Sequence, residues 1–180
     1  MKIDHNNFLE LCGNFNTSQK QGMDFLITSI ENDPAVADIR WAAYMLATID
    51  RECAGTWQPI AEYGKGAGRP YGANINGHAY YGRGYVQLTW IDNYKSMSAV
   101  TGVDLVSNPD AAMHPDVAYE IMSHGMIHGS FTGVGLPKYI NADKCDYINA
   151  RRIINGVDHA VEIAKAAEWL EHALTVCEVA

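Results

Sequence analysis

Two glutamates ten residues apart, Glu52 and Glu62, are the residues of this chain best suited to chemistry. Glu52 closes an apolar, helix-like run, and Glu62 sits in a loop rich in glycine and aromatic residues. Hydrolysis of a glycosidic bond needs two carboxyl groups, one neutral to protonate the departing oxygen and one ionised to activate water or attack directly. A helix end and a polar loop give the two groups different surroundings, which separates their proton affinities. At the C-terminal end of a helix the macrodipole disfavours a carboxylate, and apolar neighbours add to that, which suits Glu52 to the role of general acid. The plainer readings are a helix-terminal ion pair with Arg51 or another cation for Glu52, and a solvated loop acid for Glu62.

The residues around the pair narrow the choice. Glu52 is followed five residues later by Trp57. Further on, the run Tyr80-Tyr81-Gly82-Arg83-Gly84-Tyr85-Val86-Gln87-Leu88-Thr89 is closed by Asn93-Tyr94, and Arg152-Ile153-Ile154-Asn155-Gly156 comes later still. These segments resemble glycoside hydrolase family 19, the chitinases of plants and bacteria together with phage and prophage endolysins. The Gln58-Pro59-Ile60 stretch leading into Glu62 and Tyr63 resembles the endolysin branch. The resemblance runs from roughly Trp41 to Gly156, and the Gly-Arg-Gly segment is its most specific part.

The resemblance implies a mainly α, lysozyme-like α+β fold and an inverting, cofactor-free hydrolysis of β-1,4 bonds in peptidoglycan, with chitin as the alternative substrate. Glu52 falls on the catalytic acid, Glu62 on the general base, and Thr89 on the hydroxyl that helps hold the attacking water. Gln87, Asn93 and Asn155 fall on amides that hydrogen-bond the sugar chain, with capping or buried structural roles as the competing reading. Tyr71, Tyr81 and Trp57, with Tyr80 and Tyr85, could stack on sugar faces, although some of these rings must be core. Arg51 stands where many family members have His, which bears on substrate preference.

Other motifs exclude more than they assign. Arg83 between two glycines is read as a structural anchor through carboxylate or carbonyl contacts, since glycine lets backbone approach closely. The spacings of a phosphate-binding loop are absent. His124 and His128 share a helix face without an HExxH pattern or an evident third ligand, so no metal site is expected. Cys12, Cys53, Cys145 and Cys177 form no CxxC pair and are read as small buried hydrophobes.

A net charge of −8 disfavours nucleic acid as a partner. The charge is uneven, however. Arg51 to Lys95 holds five Lys/Arg against three acids, a net of +2 that leaves −10 for the rest. A locally basic region suits an anionic substrate such as peptidoglycan, whose stems carry carboxylates. No apolar run approaches the ~20 residues that cross a bilayer, and the amino-terminal segment lacks a signal-peptide pattern. The expectation is a monomeric catalytic domain over residues 1–180, with no wall-binding module and no membrane insertion. It would be made in a host cytoplasm and reach the wall of the cell through a holin-type pore.

The elements that must position these residues read as mostly helical. Helices are expected over Asn7–Phe15, over Ser18–Glu31 capped by Thr17, and from Asp33-Pro34 to Glu52 with Val36, Ile39, Ala43, Leu46 and Ile49 on one face. Ala54 to Gly84 reads as a functional loop region with at most a small hairpin around Ile60–Tyr63 and His78–Tyr81. Further helices are expected over Gln87–Val100, Pro115–His128, Asp143–Ile154 and Asp158–Glu178.

Overall fold

A computed structural model of the protein describes residues 1–179. In chain order it contains α1 (His5–Cys12), α2 (Thr17–Asn32), α3 (Ile39–Glu52), β1 (Ile60–Ala61), β2 (Arg83–Gly84), α4 (Ile91–Thr101), α5 (Pro115–His128), α6 (Leu136–Tyr139), β3 (Ile140–Asn141), β4 (Lys144–Cys145), α7 (Tyr147–Ala150) and α8 (Ala160–Cys177). Short 3-10 turns lie at Pro70–Gly72, Pro109–Met113 and Arg151–Ile153. The fold is mainly α, with two small antiparallel strand pairs, β1–β2 and β3–β4. The described residues form two compact units: Met1–Trp57 with the chain from Gly125 onward, and Gln58–His124.

The first unit is built on α3 packed along α8, with α1 and α7 also against α8. Every residue of α3 from Ala42 to Ile49 is buried, so this helix is central rather than lying with one face on a core. Its buried Leu46 and Ile49, with Ile163, Leu170 and Leu174 of α8, each contribute roughly 1.5–3 kcal/mol by leaving water. The helix starts at Ile39, not at Pro34. Asp38 takes its cap, accepting the Arg40 N–H at 2.9 Å and the Arg40 guanidinium at 2.6 Å. Asp33 instead builds a turn, its side chain accepting the Ala35 N–H and its carbonyl the Val36 N–H. At α2 the N-cap is Asn16 rather than Thr17, in a reciprocal capping box with Gln19.

The stretch expected as one helix from Asp143 breaks into β4, α7 and a 3-10 turn. Asn141 accepts the Asp143 N–H and folds β3 back on β4, an Asx turn that competes with helix.

The second unit holds the loop region. β1 meets β2 at Ile60↔Gly84 and Ala61↔Arg83, a register three residues past the hairpin expected at His78–Tyr81. His78 is paired within its own turn with Ile75. Arg83 also bridges to Leu88, so three short segments lie side by side here.

Candidate active site

Glu62 is the first residue after β1. The backbone N–H of Glu62 donates to the Gly82 carbonyl at 2.7 Å, and the Gly82 N–H donates back to the Glu62 carboxylate at 3.1 Å. The other carboxylate oxygen accepts the Tyr71 hydroxyl at 2.8 Å. That bond comes first among the causes that hold the Tyr71 proton more tightly than usual. Both oxygens of Glu62 therefore face donors, the arrangement that suits an ionised acceptor. The strand register sets Glu62 and Thr89 on either side of the Gly82 backbone, since Ala61 and Leu88 both pair with Arg83. A Cβ on Gly82 would come within 2.8 Å of the Gln87 side-chain oxygen, so a larger residue here would displace the Gln87 amide.

The loop that carries Tyr71 is closed on bare backbone. A Cβ on Gly66 would lie 2.7 Å from the Gly72 Cα, and one on Gly72 would run into the Gly66 carbonyl oxygen. Gly66 also has a φ of +72°, a conformation that L side chains rarely adopt. Lys65 and Arg69, exposed on this loop, lie between Glu62 and Tyr71 in sequence.

Arg83 is the anchor of the segment, as its place between two glycines suggested. It is buried, with Nε donating to Asp110 at 2.8 Å and the guanidinium donating to the Ala79 carbonyl and to the Tyr94 hydroxyl at 3.0 Å each. It also lies 3.6 Å above the Tyr81 ring centre. This corrects the sugar-stacking role given to Tyr81, which is buried with one ring face taken by the guanidinium. Tyr80 and Tyr85 are core as well. The Gln87 amide donates to the Ile60 and Gly84 carbonyls and the Asn93 amide to the Thr89 carbonyl, so their donors hold the fold.

The ring best placed to meet a sugar beside Glu62 was not singled out from sequence. Trp90 is half exposed, packs edge-on to Tyr71 at 5.5 Å and enters α4 with a φ of +71°. Its only advance signal was its place after Thr89. Tyr63, next to Glu62, is fully exposed.

In the first unit, Glu52 ends α3 and is partly buried, with 17% of its side chain accessible. One carboxylate oxygen accepts from the Arg151 guanidinium at 2.6 Å, while Arg151 Nε donates to the Asp158 carbonyl. The surroundings of Glu52 are thus not simply apolar, which corrects that part of the expectation. The cation is Arg151, itself buried, and not its neighbour Arg51, which is exposed. Arg151 adjoins the Arg152–Gly156 motif, but only the folded chain shows its partner. Asn155 is exposed, and its side-chain oxygen accepts the Gly156 N–H.

Trp57 is a further correction. Its ring is 5% exposed and packs edge-on to Phe15 at 5.9 Å, lining a cavity of the first unit rather than an open sugar platform. Asp50 is half-buried at that cavity, and burial raises its pKa. All four cysteines are free; Cys53 and Cys177 are buried, whereas Cys145 on β4 is exposed.

Among the described residues no group of three or more His, Cys, Asp or Glu could hold a metal ion. Among the described residues, no helix is long and apolar enough to cross a membrane.

Comparison with known proteins finds a family match within the second unit. Residues 59–124 match the model of glycoside hydrolase family 19, chitinase class I. That stretch contains Glu62, Tyr71, Thr89 and Trp90 but neither Glu52 nor Asn155. An endochitinase 1 of Theobroma cacao is 44% identical over 45 residues, and an endochitinase A2 of Pisum sativum is 41% identical over 46. Those matches cover 24% and 25% of this chain, and the chain spans only 14% of the length of each relative. Among solved structures, chitinase C from Streptomyces griseus superposes with a TM-score of 0.70 at 22% identity, covering 96% of this chain and 76% of that one. A bacterial family 19 chitinase superposes at 0.65, also with 22% identity, covering 93% and 94%. The chain therefore has the mainly α, lysozyme-like fold of family 19 chitinases, and its residues 59–124 match that glycoside hydrolase family in sequence.

Proposed function

We propose that the protein is a glycoside hydrolase cutting β-1,4 bonds of glycans that contain N-acetylglucosamine, with Glu62 as general base and Glu52 as general acid. The observation that carries this reading is the Glu62 carboxylate, held at both oxygens by Tyr71 and Gly82 inside the stretch that matches the family. Glu62 takes a proton from water as the water's oxygen bonds to the anomeric carbon. Glu52 gives its proton to the oxygen of the departing sugar, so charge balances and no cofactor is needed. Arg151 fixes one oxygen of Glu52 and leaves the other to exchange the proton. The Thr89 hydroxyl, able to donate and accept, orients the water. A displacement by water in one step inverts the anomeric configuration.

The finer reading is an endolysin acting on peptidoglycan. Support comes from Lys65 and Arg69, exposed on the loop of the base, where they suit the carboxylates of peptide stems. A chitinase is the second reading, favoured by the similarity to endochitinase 1 of Theobroma cacao and chitinase C from Streptomyces griseus. The test is product analysis on purified peptidoglycan and on chitin oligomers, with early products followed by NMR. New reducing ends of inverted configuration, released faster from peptidoglycan, are expected. Faster release from chitin would replace the endolysin reading, and retained configuration would remove Glu62 as base.

A further inference from the structure

Helix α3 carries a second carboxyl group that glycoside hydrolysis does not use. Asp50 precedes Glu52 by two residues, so at ~100° per residue it leaves the helix about 200° around from Glu52. There it lines two adjoining cavities of about 330 and 380 Å³, which share Asp50, Gly55 and Ala166. Phe15, Met23, Trp57, Trp169 and Leu170 wall the larger one. Trp169 is 44% exposed and forms an apolar entrance. The smaller one opens past Arg51 and Glu162.

Among the described residues the Asp50 carboxylate makes no hydrogen bond or ion pair, and desolvation is the sole cause of its raised pKa. The other polar side chain of the larger cavity that could meet a ligand strongly is already engaged. Gln19 donates to the Gly55 carbonyl at 2.8 Å and accepts the Asn16 N–H at 3.0 Å. A half-buried carboxylate without a partner is costly, and a cationic ligand removes that cost. Aromatic walls attract cations by their faces and take up aliphatic stems. A sugar ring would need several converging donors and acceptors, and this cavity offers one carboxylate. The first unit holds nine Lys/Arg against fifteen acids, a net of −6 that favours a cation as well.

We propose that this cavity is a binding site for an alkylammonium group of the kind carried by a lysine-type side chain. The ammonium sits on Asp50, and the methylene stem lies along Trp57 and Trp169. The ligand enters past the half-exposed Trp169. The site is separate from the proposed hydrolysis and stands whether or not that reading holds.

The four tryptophans allow a direct test by NMR of ¹⁵N-labelled indole groups in the full chain. The probes are Nα-acetyl-lysine methylamide, its Nε-acetylated form and an N-acetylglucosamine trimer. The free amine should shift the Trp57 and Trp169 signals saturably, with half-saturation below about 10 mM, as one ion pair with apolar contact allows. Asp50→Asn and Trp169→Ala should each weaken this about tenfold or more. Unchanged Trp41 and Trp90 signals would show that the variants are folded. The proposal is overturned if the Nε-acetylated probe binds as well, if Asp50→Asn binds the amine as tightly as the parent, or if no saturation occurs. Shifts of Trp57 and Trp169 produced by the sugar trimer alone would equally overturn it.

Discussion

At the residue scale, the two carboxyls differ in how they are held, and the difference predicts how each tolerates change. Glu52→Gln keeps the shape and an acceptor for Arg151 but cannot give up a proton. Activity should fall by ~10²–10⁴ with the fold intact by circular dichroism, and near-parental activity would exclude Glu52 as the acid. Tyr71→Phe removes one of the two donors that hold Glu62. The bond is to a charged group but lies close to solvent, so a loss of roughly three- to tenfold in kcat is expected, with KM nearly unchanged. Residue type, spacing and the surrounding motifs named Glu52, Glu62 and Arg83 as candidates, and the contacts of Arg83 bear out its anchoring role. Arg151, Asp50 and Trp90 could not be found that way, because each matters through what it meets in space. Trp57 and Tyr81 were misread for the same reason: a ring's exposed face is set by its neighbours, Phe15 and Arg83, and not by its own identity.

At the element scale, the start of α3 depends on Asp38, whose carboxyl is held below the usual carboxylate range, first by the side-chain bond from Arg40. A lowered folded value means stability that is present above the ordinary carboxylate range and lost as pH falls through the lowered one. Asp38→Ala should therefore destabilise the protein by ~0.5–2 kcal/mol at neutral pH. The gap should close in acid; a gap constant with pH in urea unfolding would show that the charge is immaterial. Helices with sustained periodicity were legible almost to their ends, as α5 (Pro115–His128) and α8 (Ala160–Cys177) show. The β3–β4 turn was not, because the side-chain hydrogen bond of Asn141 outweighs the local helical pattern. The register of β1 against β2 was also hidden, since it depends on Gly82 lying against Glu62 rather than on any alternation in two-residue strands.

At the scale of the whole molecule, fold class followed from helical periodicity and from the glycine-rich break, whereas the proposed choice of peptidoglycan rests on charge distribution. Replacing Lys65 and Arg69 together by glutamine should reduce activity on peptidoglycan modestly, by a few-fold, because exposed pairs contribute ~0.2–1 kcal/mol each and are screened by salt. The reduction should shrink at high ionic strength, and activity on uncharged chitin oligomers should stay the same. An equal loss on both substrates would mean that the two cations serve the loop and not the ligand.

The contact of Gly66 with Gly72 makes the loop between them a closed ring of backbone. Such a ring fixes its own circumference, so the part of the loop open to evolutionary variation should lie beyond it. In a scan of all substitutions selected for activity, positions 66 and 72 should accept nothing but glycine. The exposed turn at Asn74–Gly77 should admit many residues and even short insertions. A family sharing this knot would then diversify in loop length only on the far side of Gly72, leaving the approach to Glu62 constant.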